Sequence, residues 1–92
     1  MNNRIPLENL KIQFPCEYPI KVIGTTSPKF FMTVMQILLK YDPSLSLAKT
    51  SERMSREGKY TSITFQFFAQ GEQQLKSMFA ELKNCSMVRL VL

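Results

Sequence analysis

Hydrophobic and polar positions alternate most clearly over residues 58–68, Gly-Lys-Tyr-Thr-Ser-Ile-Thr-Phe-Gln-Phe-Phe. Side chains of an extended chain point to opposite faces in turn, which puts Ile63, Phe65 and Phe67 on one side and Tyr60, Ser62, Thr64 and Gln66 on the other. Its β-branched and aromatic content, with no proline, predicts an interior strand. Weaker alternation predicts three more strands. These run over 18–24, with Ile20 and Val22 opposite Lys21 and Ile23; over 44–51, with Leu45 and Leu47 opposite Ser46 and Ala48; and over 87–92, with Val88, Leu90 and Leu92 opposite Met87, Arg89 and Val91.

A helical period takes over twice. Over 28–41 the residues Lys29, Thr33, Gln36 and Lys40 form one narrow polar stripe, leaving Phe30, Phe31, Val34, Ile37, Leu38 and Tyr41 as a core face flanked by Met32, Met35 and Leu39. Gly24-Thr25-Thr26-Ser27-Pro28 leads into this helix. Ser27 is placed to cap the first amides, and Pro28 suits the first helical position, where its missing N–H costs nothing. Asp42-Pro43 ends it, because the residue before proline is driven out of the helical region. From Glu72 onward, Leu75, Met78, Phe79 and Leu82 fall at i, i+3, i+4 and i+7, and Lys83 suits the negative pole of that second helix. The charged run 52–58 is predicted as a hairpin loop ending at Gly58.

The order is strand, helix, strand, strand, helix, strand. Right-handed crossovers then place the first and third strands centrally, giving an α+β ferredoxin-like βαββαβ sandwich: a four-stranded antiparallel sheet, order 4-1-3-2, with two helices on one face. Residues 1–13 are expected to be a tail or lead-in and 14–92 the single domain. The helices should cover Ile20, Val22, Ile63, Phe65, Phe67, Val88 and Leu90. Ile23, Met87 and Val91 should appear on the open face among Lys21, Tyr60 and Arg89. Cys16 and Cys85 fall at opposite ends of the sheet, beyond the ~7 Å Cα separation a disulfide spans.

Three segments carry a resemblance. Phe14-Pro15 followed by Tyr18 and Lys21-Val22-Ile23-Gly24, then Gly58-Lys59-Tyr60-Thr61-Ser62-Ile63-Thr64, then Met87-Val88-Arg89-Leu90-Val91-Leu92 resemble the YbeD-like family of small bacterial proteins over about residues 10–92. Against that family the hairpin loop around 53–57 looks long, and Gln70-Gly71 stands where a serine cap is more typical. The resemblance implies the ferredoxin-like fold and a likeness to ACT-type regulatory domains, in which small ligands bind near the turn between the first strand and helix. It implies no reaction.

Composition narrows the chemistry. The chain has 92 residues, enough for one modest core, and no histidine, which removes the usual general base and the commonest metal ligand. The two cysteines have no CxxC spacing, and the carboxylates are scattered, so no catalytic residue, metal or cofactor is expected. No apolar run approaches the roughly 20 residues of a membrane span, and the first residues lack the apolar core of a secretory signal, so a cytoplasmic address is the default expectation. Net charge is +5, which permits an acidic partner without requiring one.

The expected function is a non-catalytic regulatory or binding module, ACT-like, responding to a small ligand or a protein partner, with a homodimer possible. Gly24, Thr25, Thr26 and Ser27, at a turn rich in hydroxyls before a helix, and Lys59, Tyr60, Ser62 and Arg89, on or beside the open face, are the candidate binding residues. The alternative is an RNA-binding module. Gly58-Lys59-Tyr60 echoes the signature of RNA-recognition sheets, but Ser62, Thr64 and Gln66 stand where further stacking aromatics are needed, and nucleic acid is disfavoured.

Overall fold

The computed structural model describes residues 13–92, so the lead-in expected over 1–13 lies, apart from Gln13, outside the described residues. Six main elements follow in order: β1 (Cys16–Thr25), α1 (Phe30–Tyr41), β2 (Thr50–Met54), β3 (Tyr60–Ala69), α2 (Glu72–Lys83) and β4 (Val88–Val91). The strands form one antiparallel sheet in the order β2-β3-β1-β4, the ferredoxin-like arrangement that the periodicities predict.

One face of the sheet is buried under both helices. Ile20 and Val22 of β1 and Ile63, Phe65 and Phe67 of β3 meet Phe30, Val34, Met35 and Leu38 of α1 and Leu75, Met78 and Leu82 of α2, all essentially excluded from water. The Phe31 ring stacks above Phe65 with centroids 6.3 Å apart. Met35 thus belongs to the centre of the α1 core face rather than to its flank. The helices are tied together at one end. Lys40 and Tyr41 of α1 both hydrogen-bond the Glu81 carboxylate of α2, the Tyr41 hydroxyl at 2.7 Å, and the Gln74 side-chain amide donates to the Tyr41 carbonyl at 2.7 Å.

The second strand lies further along the chain than its alternation predicts. Residues 42–49 are held by local hydrogen bonds: the Asp42 carboxylate accepts from the Ser44 N–H at 3.0 Å, the Leu45 N–H donates to the Asp42 carbonyl, and Leu47–Lys49 make a 3₁₀ turn. Leu45 anchors this segment in the core, while Leu47 is 70% exposed. Side-chain bonds from Asp and Ser offer the backbone an alternative to a ladder, and here that alternative prevails. β2 therefore takes up Glu52 and Arg53, charges that an edge strand tolerates. The hairpin loop correspondingly shrinks from the predicted 52–58 to 55–59. The Ser55 N–H donates to the Tyr60 carbonyl at 2.7 Å, and Gly58 supplies the positive φ of 75° that the turn requires.

The last strand departs from simple alternation. Val91 pairs with Val22 and Leu90 with Ile23, but Gly24 pairs with Val88, leaving Arg89 as the extra residue of a bulge. The bulge reverses the side-chain parity between Val88 and Leu90. Val88 and Val91, together with Met87, pack against the core, and Leu90 lies on the open face, 49% exposed. This corrects the assignment of Leu90 to the helix side and of Met87 and Val91 to the open face. Cys16 opens β1 and Cys85 precedes β4 at the far end, roughly 26 Å along the strand, and both thiols are free.

Candidate functional site

The open face carries its chemistry at the corner where the end of β1, the start of β3 and β4 meet. Thr25 pairs with Tyr60 and Ile23 with Ser62 across the two central strands, while Leu90 lies beside Ile23 on the other side. Arg53 of β2 pairs with Ser62, so its side chain shares this face, and the Ser62 hydroxyl donates to the Arg53 carbonyl at 3.4 Å. Lys59 holds its ammonium group 5.6 Å from the centre of the Tyr60 ring, within cation–π range. The bulge aims Arg89 at the same corner, where its Nε–H donates to the Thr25 hydroxyl at 3.3 Å.

Two shallow depressions open to solvent adjoin there. One, of about 230 Å³, is lined by Ile23, Arg53, Ser55, Tyr60 and Ser62 among others. The other, of about 360 Å³, is lined by Ile23, Tyr60, Arg89 and Leu90. A third, of about 340 Å³, lies at the sheet edge between the end of α2 and β4, bounded by Lys83, Val88, Arg89, Leu90 and Val91. The two ion pairs among the described residues, Lys40 with Glu81 and Lys76 with Glu72, lie on the helices. Neither engages Lys21, Arg53, Lys59, Lys83 or Arg89. The corner is an apolar patch of Ile23, Tyr60 and Leu90 with, at its margin, cations that form no ion pair among the described residues, the anatomy of a docking surface in miniature.

Of the residues singled out in the sequence, Thr25, Lys59, Tyr60, Ser62 and Arg89 come together at this corner. The others serve the turn itself. Gly24 is buried on the helix side, where a β-carbon would collide with the Phe30 ring and the Met87 carbonyl oxygen. The Thr26 hydroxyl shares a 2.8 Å hydrogen bond with that of Thr61, and the Thr26 N–H donates to the Lys59 carbonyl at 2.9 Å. Ser27 Oγ accepts from the Lys29 N–H at 3.2 Å. All three hydroxyls of the turn are thereby engaged within the fold. Arg53 and Leu90 escape the sequence reading. Arg53 would have been found by counting back from Gly58 as a tight turn, whereas nothing in the local sequence signals the bulge that exposes Leu90.

Among the described residues no group of histidine, cysteine or carboxylate side chains is placed to hold a metal ion. No described helix is long and apolar enough to cross a membrane. The corner offers hydrogen-bond donors, positive charge and apolar area, and so can hold an acidic group beside an apolar one.

Residues 9–92 match the family described as Protein of unknown function (DUF493). A UPF0250 protein of Pseudomonas entomophila is 45% identical over 83 residues, covering 89% of this chain and 90% of its own. A UPF0250 protein of Hahella chejuensis is 40% identical over 82 residues, with 89% and 90% covered. That of Bordetella parapertussis is 36% identical over 90 residues, with 98% and 99% covered. The solution structure of protein HP0495 from H. pylori superimposes with a TM-score of 0.75 over 99% of this chain and 98% of that one at 19% identity, a likeness of fold.

Proposed function

Starting from the fact that the chain belongs to the DUF493 family, whose function is unknown, we propose that it is a non-catalytic binding module that engages a protein partner through the open face of its sheet. One observation carries the reading: Ile23, Tyr60 and Leu90 form an apolar centre on that face, and the cations around it, Arg53, Lys59 and Arg89, have no ion partner among the described residues. Charged side chains left unpaired beside exposed apolar area stand ready for a complementary surface, where they steer encounter and fix register. The depressions are shallow, which suits a partner surface better than an enclosed small molecule. An ACT-like regulatory role is compatible with this reading, the bound partner then being the regulated component.

RNA is a weaker occupant. Tyr60 is one ring, and Phe68, the next aromatic side chain of β3 on that face, lies eight residues on, roughly 26 Å away, too far to stack adjoining bases.

The test is photocrosslinking in the bacterium, with a photoreactive phenylalanine analogue replacing Thr64 on the open face or Gln73 on α2. Discrete protein adducts from position 64, absent from position 73 and lost when Tyr60→Ala and Arg89→Ala are introduced, are the expected result. Identical adducts from both positions, or none from position 64, would overturn the proposal. A thermal-shift screen with amino acids, nucleotides and anions separates the small-ligand case, since a ligand at about 100 times its Kd adds about 2.7 kcal/mol.

A further inference from the structure

β4 is an edge strand set between two depressions, and both are bounded by cations. On the open side lie Ile23, Tyr60, Arg89 and Leu90. On the helix side lie Lys83, Val88 and Val91, with Arg89 and Leu90 shared between the two. The inner side of the strand is satisfied: Leu92 exchanges two hydrogen bonds with Lys21, its N–H at 2.8 Å and its carbonyl at 3.0 Å. In an antiparallel ladder inward-facing and outward-facing peptide groups alternate, so those of Val91 face away from β1. We infer that β4 accepts an extended acidic segment of a partner protein as a fifth strand, with Arg89 and Lys83 each meeting a carboxylate from opposite faces of the added strand. The inference rests on the binding-module reading and names the partner's chemistry.

Charge selects the occupant. Successive side chains of an added strand would point alternately into the two depressions, and both present a cation without an ion pair among the described residues. The bulge holds Arg89 on the open side, where, among the described residues, only its Nε is committed, to Thr25, which leaves the remaining guanidinium donors for a carboxylate. Among the described residues the acidic side chains lie elsewhere: Glu17 pairs with Phe68 at the far end of the sheet, Asp42 is buried, Glu52 belongs to the opposite edge, Glu57 to the turn after it, and Glu72 and Glu81 to the helix ion pairs. A second copy is a poor occupant, because antiparallel pairing of β4 with itself would bring two Arg89 side chains together. The opposite edge, β2, mixes Glu52 with Arg53 and offers no such complement. Main-chain pairing supplies affinity in such strand addition and the flanking depressions supply specificity.

The probe is a phage-displayed library of random ten-residue peptides selected on the full chain. Selected peptides should carry Asp or Glu within a β-branched run. Their binding should weaken roughly tenfold or more on Arg89→Gln and on Lys83→Gln, as loss of a charge-assisted hydrogen bond implies. Their amide shift changes should centre on β4, and both variants should melt within a few degrees of the parent. Selected peptides without acidic residues, indifference to both substitutions, shifts centred on β2, a β4-paired homodimer or no selected peptide at all would each overturn the inference. If the adducts from position 64 persist in any of those cases, the binding-module reading stands and only the acidic strand fails; if they are absent too, both fail.

Discussion

Phe30 seats the edge of its ring directly against Gly24, with the Met87 carbonyl oxygen closing the same space, so no methyl group fits at position 24. The glycine is what lets α1 and the bulged β4 both approach the end of β1. Gly24→Ala should therefore destabilise the protein by about 1–3 kcal/mol, the usual cost of overpacking. In a domain of this size each kcal/mol lowers the melting midpoint by roughly 4–8 °C. An unchanged midpoint would mean that Phe30 moves aside freely, and the packing role of Gly24 would be wrong.

Just beyond that contact, the hydroxyls of Thr26 and Thr61 share a 2.8 Å hydrogen bond, and Thr61 is only 3% exposed. Thr61 sits among apolar neighbours on the helix side of β3, and its hydroxyl is tolerated there because Thr26 satisfies it. Thr61→Val should cost about 1 kcal/mol by stranding the Thr26 hydroxyl, and in a double-mutant cycle Thr26→Val should recover much of it. Denaturant midpoints of the four proteins measure this. Strict additivity would show that water replaces the bond.

The junction of the two helices gives a pH dependence of known sign. Hydrogen bonds from Lys40 and Tyr41 hold the Glu81 carboxyl below the ordinary carboxylate range, and the Glu81 carboxylate raises both Lys40 and Tyr41 above theirs. A depressed carboxyl contributes stability that is complete above its unfolded value, about 4.3, and is lost as pH falls through the lower folded value. The gap in melting temperature between the parent and Glu81→Gln should thus be open at neutral pH and close in acid. On the basic side the contributions of Lys40 and Tyr41 fade only as pH rises through their elevated values. A gap still present at pH 2 would place the role of Glu81 in packing.

How much of this was legible in the sequence varies with how local each cause is. β3 and α2 announce themselves, because Ile63, Phe65 and Phe67, and Leu75, Met78 and Leu82, keep the period of the element they form. β2 does not, because Asp42 and Ser44 divert the backbone before it and Leu47 is exposed where the alternation places a strand. The parity of β4 is still less readable. Arg89 and Leu90 lie in an unbroken alternation, and the extra residue falls opposite Gly24 of another strand, where the Met87 carbonyl oxygen comes close enough to exclude a β-carbon. The candidate site inherits both cases: Tyr60 and Ser62 follow from β3 alone, whereas Arg53 and Leu90 depend on strand registers set by distant residues.

Lys59 and Tyr60 separate binding from folding most cleanly. The Lys59 backbone holds Thr26, but its side chain reaches only over the Tyr60 ring, an exposed cation–π contact worth about 0.5–1 kcal/mol. Lys59→Ala leaves that backbone bond intact, so its midpoint should fall by no more than a few degrees. Tyr60→Ala removes a half-buried ring from the open face while every core contact of Ile63, Phe65 and Phe67 stays in place. Both variants should keep the fold by circular dichroism and lose the crosslinked adducts from position 64. A collapse of either variant in thermal melting would make the residue part of the framework, and intact crosslinking in both would remove this corner from the binding surface.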